Sequence, residues 1–242
     1  MKSRANPSSS SGSTAAAAAS ARGERTADTS PEVTAGNATS RVSYDDQMAI
    51  TDHRAALRPG LDVDPRPSPD PGERLAAVLA LLIEEPEPAL LFTERSATLS
   101  RHPGEVSFPG GLAEPQDDRL ETTALRETHE EVGIAPALPE VLGALPAIHT
   151  FVSGVLVTPF VAVIRALPAL HESRAEIARV LTVPTATLAE LEEQRDLHRE
   201  GGRVWRGWWY ETADATIWGA TGFMLHAFLE HARRRAPWLT TR

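Results

Sequence analysis

The sequence predicts an α/β fold, a sandwich on a mixed β-sheet preceded by a disordered N-terminal tail. Three observations carry that prediction. Apolar runs of strand length, "RLAAVLALLI" and "LVTPFVAVI", stand on either side of one polar helical segment, "LETTALRETHEEV". Strands that flank a central helix, with further helices late in the chain, belong to a layered sheet rather than to a bundle. The chain has 242 residues with 41% hydrophobic content, enough for one sizeable core.

Taken in order, residues 1–43 read as a low-complexity tail, residues 44–73 as a proline-rich lead-in, and residues 74–236 as the folded domain. The tail is Ser, Ala, Thr and Gly with almost no large apolar side chain, so it cannot offset the entropy of ordering. Lys2 and Arg4 precede an alanine run in the manner of an export signal. Five alanines fall short of the roughly seven to fifteen apolar residues such a signal needs. "LRPGLDVDPRPSPDPGE" (57–73) predicts an extended lead-in over the surface. "RLAAVLALLIEE" and "PALLFTERS", split by "EPEP", predict two buried strands around a turn. "RHPGEVSFPGGLAEPQDD" (101–118) reads as a loop, with Gly104, Gly110 and Gly111 supplying backbone freedom.

A helix is expected next. Asp118 with Glu121 matches a capping box, and Gly133 followed by Ile134 fits a Schellman-type stop. Beyond it, residues 156–164 and 177–183 predict strands, and residues 203–218, with "RVWRGWWYE" and "ATIW", predict a late hairpin. Residues 186–200 read as a short amphipathic helix. Residues 219–235 read as a closing helix whose basic last turn suits the C-terminal end of the helix dipole. Trp205, Trp208, Trp209 and Trp218 crowd this region and are expected as core or cleft-wall residues.

Composition narrows the function. No cysteine is present, which excludes disulfides, thiolate metal sites and a cysteine nucleophile. The net charge of −9 argues against nucleic-acid or anionic-membrane partners, because both need a basic surface. No run of eighteen apolar residues is present to span a membrane. An acidic chain can still take an anionic substrate when metal ions stand between them.

The helix poses the chemical question. Glu127, Glu130 and Glu131 fall within one sector at about 100° per residue, while Leu125 and Val132 lie on the far side. Like charges at these spacings repel. A hard divalent cation would relieve that repulsion, and an all-oxygen carboxylate site suits Mg²⁺ or Mn²⁺.

The surroundings sharpen this reading. They spell Gly111-x5-Asp117-x8-Arg126-Glu127-Thr128-x-Glu130-Glu131-x-Gly133-Ile134. This resembles the Nudix box, with one extra residue before the Arg, Asp117 in place of a Glu, and Thr128 at an aliphatic position. The insertion and the aspartate resemble one branch, the coenzyme A pyrophosphatases, as do "FPGG" (Phe108 to Gly111) and "TALRE" (Thr123 to Glu127). Upstream, Arg95, Ser96, Gly104 and Phe108 to Gly111 stand at the places of that branch's coenzyme A motif. Ser100 stands where the motif is basic, with Arg101 beside it.

The resemblance spans roughly residues 70–232 and implies a Nudix-type αβα sandwich. It implies a Mg²⁺- or Mn²⁺-dependent hydrolase cleaving the pyrophosphate of coenzyme A and acyl-coenzyme A to 3′,5′-ADP and 4′-phosphopantetheine or its acyl form. Glu127 and Glu131 are then the main metal ligands, with Glu130 and the Gly111 carbonyl contributing. Glu127 or Glu130 serves as base, with Glu176 as an outside alternative. Arg95, Ser96, Arg101, Gly110 and Gly111 would hold substrate, and Arg126, paired with Asp117, would support the site. The same chemistry on ADP-ribose, NADH or a diadenosine polyphosphate is the alternative, and a non-catalytic nucleotide-binding module is a further one. A cytoplasmic homodimer is the expected form.

Overall fold

The computed structural model describes residues 53–98, 103–150, 154–173, 175–198 and 204–241. The chain divides into Met1–Arg41 and Val42–Arg242, and the described residues belong to the second unit. The expected tail lies outside them.

In chain order the elements are β1 (Arg74–Ile83), β2 (Ala89–Arg95), β3 (Val106–Ser107), β4 (Gly110–Leu112), α1 (Leu120–Val132), β5 (Glu140–Ala144), β6 (Ile148–Thr150) and β7 (Val155–Ile164). There follow β8 (Ile177–Pro184), α2 (Thr185–Leu191), β9 (Glu193–His198), β10 (Val204–Glu211), β11 (Thr216–Ile217), α3 (Gly219–Arg235) and a 3₁₀ turn, Pro237–Thr240. Among the described residues, β1 to β8 form one mixed sheet and β9 to β11 a second, antiparallel one.

β1 and β7 pair in parallel along their full length, from Arg74 opposite Val155 to Ile83 opposite Ile164. Side chains alternate between the faces of a sheet, and each face here has a cover. Ala77, Leu79, Leu81 and Ile83 point to a layer completed by Ala124 and Val132 of α1. Ala76, Val78, Ala80 and Leu82 point to the other, completed by Met224, Leu225, Phe228 and Leu229 of α3. The result is an αβα sandwich, and it explains why both strands read as unbroken apolar runs.

The sheet also opens a place for chemistry. β1 and β2 pair only next to their turn, Leu82 with Leu90 and Ile83 with Ala89. Beyond that point β3 pairs with β2 and β4 with β1. The stretch read as a loop thus holds two short strands, which glycines had masked in the sequence.

Three further expectations need correction. Residues 186–200 are not one helix: α2 stops at Leu191 and β9 pairs with β10, Glu193 opposite Trp209. Arg195 reinforces that ladder by pairing with both Glu193 and Glu211. The capping box does not form, because Asp118 Oδ1 accepts from the Thr122 hydroxyl and Glu121 pairs with Arg119, the N-cap residue. The lead-in is not wholly superficial either. Leu57 and Leu61 are core residues, His231 Nε2 donates to the Leu57 carbonyl at 2.6 Å, and Asp62 bridges to Ala144.

Of the tryptophans, Trp208 packs on the α3-side core and stacks on His226 at 3.7 Å. Trp209 stacks on the exposed Trp218. The side chain of Trp205 lies outside the described part.

Candidate active site

The site begins with four residues that tie the gap between β1 and β2. Phe108 is buried and stacks on Phe92 at 4.8 Å. The Pro109 carbonyl accepts from Leu79 N–H at 2.8 Å. Gly110 has φ 152°, and a Cβ there would stand 2.5 Å from Val78 Cα, so no larger residue fits. A Cβ on Gly111 would stand 2.5 and 2.6 Å from the two carboxylate oxygens of Glu127. The two glycines therefore let backbone meet a catalytic-type carboxylate at contact distance.

α1 supplies that carboxylate. Gly133 closes the helix in the left-handed region at φ 78°, its N–H reaching the His129 carbonyl at 2.9 Å. Leu125 is partly buried against the core and Val132 fully. Thr128, where the resemblance expects an aliphatic residue, is buried with its hydroxyl satisfied by the Ala124 carbonyl at 2.6 Å.

The three glutamates share a sector of the helix but do not stand as equals. Glu131 is only 4% exposed, Glu127 is half-buried, and the Glu130 side chain is 54% exposed. Burial pushes the Glu131 carboxyl up to about 8, with the Glu127 charge adding to the rise. The Gly110 N–H and the Arg95 charge oppose it. Glu131 Oε2 is buried with no hydrogen-bond partner. Burial also raises Glu127, against the pull of Arg126.

Arg126 spreads its guanidinium over the whole group. Nε and Nη2 donate to the two Asp117 oxygens at 3.1 and 2.9 Å, and Nη2 also to the Leu112 carbonyl at 3.1 Å. Nη1 reaches Glu127 and Glu130, each at 3.1 Å. Asp117 further accepts from the Thr123 hydroxyl and the Glu114 N–H. The Arg126 hydrogen bonds hold the Asp117 carboxyl down at about 2 despite its burial.

On the opposite wall, Arg95 ends β2 with its Nε buried and without a partner. Gly104, at φ 73°, donates its N–H to the Arg95 carbonyl at 3.1 Å. The Ser96 hydroxyl pairs with Thr98 at 2.8 Å, and its N–H donates to the Glu176 carbonyl at 2.7 Å. The Glu176 charge bears on both Glu127 and Glu131. Arg101, with Ser100 and His102, lies outside the described residues.

Two features went unread in the sequence. Asp70, Glu73 and His149 bring their ligand atoms within 4.8 Å of one another at the surface. No local spacing announces that group, since Asp70 and Glu73 precede β1 while His149 comes from β6. Two clefts of about 290 and 280 Å³ flank Pro65 to Pro67, and neither is lined by Glu127, Glu130 or Glu131.

Fold and site together define a class, an αβα sandwich whose helix carboxylates lie against a glycine strand. A NUDIX domain model matches residues 73–215, more than half of the chain. The "Uncharacterized Nudix hydrolase NudL" of Cronobacter sakazakii is 41% identical over 153 residues, covering 62% of this chain and 78% of its own. The protein of the same name from Photorhabdus laumondii is 38% identical over 173 residues, covering 68% and 91%. Among solved structures, the NUDIX domain of Shewanella oneidensis NrtR complexed with ADP-ribose matches with TM-score 0.45 and 19% identity, over 67% of this chain and 88% of that one. The chain belongs to the Nudix family and is a Nudix pyrophosphohydrolase.

Nudix enzymes use divalent metals, and the residues present fit one. The Glu131 oxygen left without a partner and the two carboxylates raised by burial, Glu127 lying directly against the Gly111 backbone, make a hard, all-oxygen donor set.

Proposed function

We propose that this enzyme hydrolyses the pyrophosphate bond of coenzyme A and acyl-coenzyme A, giving 3′,5′-ADP and 4′-phosphopantetheine or its acyl form. One observation carries the reading: a buried, partnerless Arg95 Nε faces the site that holds a buried, partnerless Glu131 oxygen. A guanidinium and a carboxyl that each keep one buried atom unsatisfied, near enough for the Arg95 charge to act on Glu131, suit a ligand that brings phosphate oxygens and a divalent ion together. Arg95 lies in the stretch that resembles the coenzyme A motif, which favours that substrate over other nucleoside diphosphates.

Glu127 and Glu131 would hold Mg²⁺ or Mn²⁺, with the Gly111 backbone beside them and Glu130 reaching in from the exposed side. When bound, such an ion supplies charge neutralisation at the pyrophosphate and a more acidic water. Arg95 binds a phosphate oxygen and orients the chain, with Ser96 and Gly110 lining the same approach. Glu176 accepts the proton of the attacking water. Its carboxylate takes no hydrogen bond from the described residues, whereas Arg126 occupies Glu127 and Glu130. The oxygen of water forms a bond to one phosphorus, the bridging P–O bond breaks, and the leaving phosphate departs with its electron pair. Arg126 and Asp117 do no chemistry and keep the carboxylates in place.

We take the protein to work in the cytoplasm as a homodimer. No helix of the described residues is long and apolar enough to cross a membrane.

A substrate panel with Mg²⁺ or Mn²⁺ and product identification tests the reading. Coenzyme A should be the best substrate and 3′,5′-ADP its product. Faster turnover of ADP-ribose, NADH or a diadenosine polyphosphate would reassign the substrate, and no turnover of any would leave a binding module. Arg95→Ala should raise KM more than it lowers kcat.

A further inference from the structure

The strand that follows β7 is joined to the site by a turn whose contacts are unusually specific. The His171 N–H donates to the Val132 carbonyl at 3.0 Å and the Ser173 N–H to the Glu131 carbonyl at 2.9 Å. These are last-turn carbonyls of α1, which a helix end otherwise leaves to solvent. The Ser173 carbonyl in turn accepts from both Glu176 and Ile177, and the Glu176 carbonyl accepts from Ser96 at 2.7 Å. One short chain of hydrogen bonds therefore runs from the backbone of Glu131 through Ser173 and Glu176 to the residue after Arg95.

Two local features make this geometry depend on sequence. The register between β2 and β8 shifts at the site, because Glu94 pairs with Arg179 but Arg95 pairs with Ile177. Ala178 is the extra residue of a β-bulge, and a bulge reverses the side to which the residues beyond it point. At the other end, Gly133 is the seat of the turn. A Cβ on Gly133 would stand 2.9 Å from His171 Cβ and 3.0 Å from His171 N, besides demanding a left-handed backbone at φ 78°. Any side chain there pushes the turn off the helix.

We propose that the turn formed by residues 171–173 and 175–177, seated on Gly133 and bulged at Ala178, is a positioning element for the reaction that sets Glu176 against the Glu127–Glu131 pair and Arg95. This rests on the reading of Glu176 as proton acceptor and extends it to residues that touch no substrate. Gly133 and Ser173 act through Glu176: they govern how fast bound substrate reacts, and neither binds it.

Gly133→Ala and Ser173→Pro test this independently. The first displaces the turn by steric contact, and the second removes the Ser173 N–H donated to the Glu131 backbone carbonyl while leaving the helix untouched. Each folded variant should lose about 10- to 100-fold in kcat, the range for a displaced proton acceptor, with KM within about threefold. Mn²⁺ affinity should hold within about threefold of wild type, and the Ser96 amide should lose hydrogen-exchange protection. In a Glu176→Gln background the same substitutions should cost nothing further in kcat, because the group they place is already gone. Losses that add in that background, unchanged kcat in the folded variants, or wild-type kcat in Glu176→Gln alone would each overturn the proposal. The cycle runs on whichever nucleoside diphosphate derivative turns over fastest, so coenzyme A can fail as substrate while the turn keeps its role.

Discussion

Removing Arg126 tests the frame that holds the carboxylates. Its partner Asp117 has a side chain only 3% exposed, and Arg126 itself 19%, so water screens the pair weakly. Asp117 is carried from an ordinary 3.8 to about 2, chiefly by the Arg126 hydrogen bonds. A shift of that size is worth about 2 kcal/mol of stability. Because the folded value lies below the unfolded one, this contribution is complete above about pH 4 and fades as pH falls through about 2. At pH 7 it is fully present. Arg126→Ala should therefore cost about 3 kcal/mol in urea unfolding. That is the low end for breaking a buried pair, because Asp117 keeps the Thr123 hydroxyl and the Glu114 N–H. Asp117→Asn should cost about 2 kcal/mol, and the double variant should show a coupling energy of about 2 kcal/mol. A coupling below about 0.5 kcal/mol is what an exposed pair gives, and would refute the claim that this fork holds the site together.

Other outcomes follow from the same geometry. Gly111→Ala should keep its melting temperature within a few degrees yet lose turnover by about 100-fold, since its Cβ meets the Glu127 carboxylate; activity near wild type would contradict the close approach. Glu131→Gln should abolish hydrolysis by several orders of magnitude while circular dichroism stays native. Burial lowers the His231 pKa below 6.5, with the charges of Arg234 and Arg235 adding to the effect. The unfolded chain then takes up a proton before the folded one does, so thermal stability should decline as pH falls below about 6.5. His231→Gln should flatten that decline while keeping a donor for the Leu57 carbonyl.

How much of this was legible depends on whether the information is local. β1 and β7 announced themselves because both of their faces are covered, which leaves no polar alternation. The closing helix and the Gly133 stop were equally plain, since each is written in a few consecutive residues. β9 was not, because "EQRDLH" carries no apolar face and owes its strand form to the ladder with β10. Asp118 and Glu121 had the spacing of a cap, but Thr122 and Arg119 competed for their carboxylates. Within the site, the residue types were readable and their inequality was not. Nothing in "RETHEEV" says that Glu131 turns under the helix while Arg126 draws Glu130 outward. That division is set by the closeness of β4, and the turn that meets Gly133 comes from a distant part of the chain.

Binding of Mn²⁺ followed by electron paramagnetic resonance puts the central claim, that α1 carries the metal site of this pyrophosphohydrolase, to its most direct test. Wild-type protein should take up the ion, and Glu127→Gln with Glu131→Gln together should lose at least about 100-fold in affinity while Asp70→Asn with Glu73→Gln leaves it unchanged. Undiminished binding in the α1 variant, or loss only when the surface group at Asp70 and Glu73 is altered, would place the metal elsewhere and contradict the account.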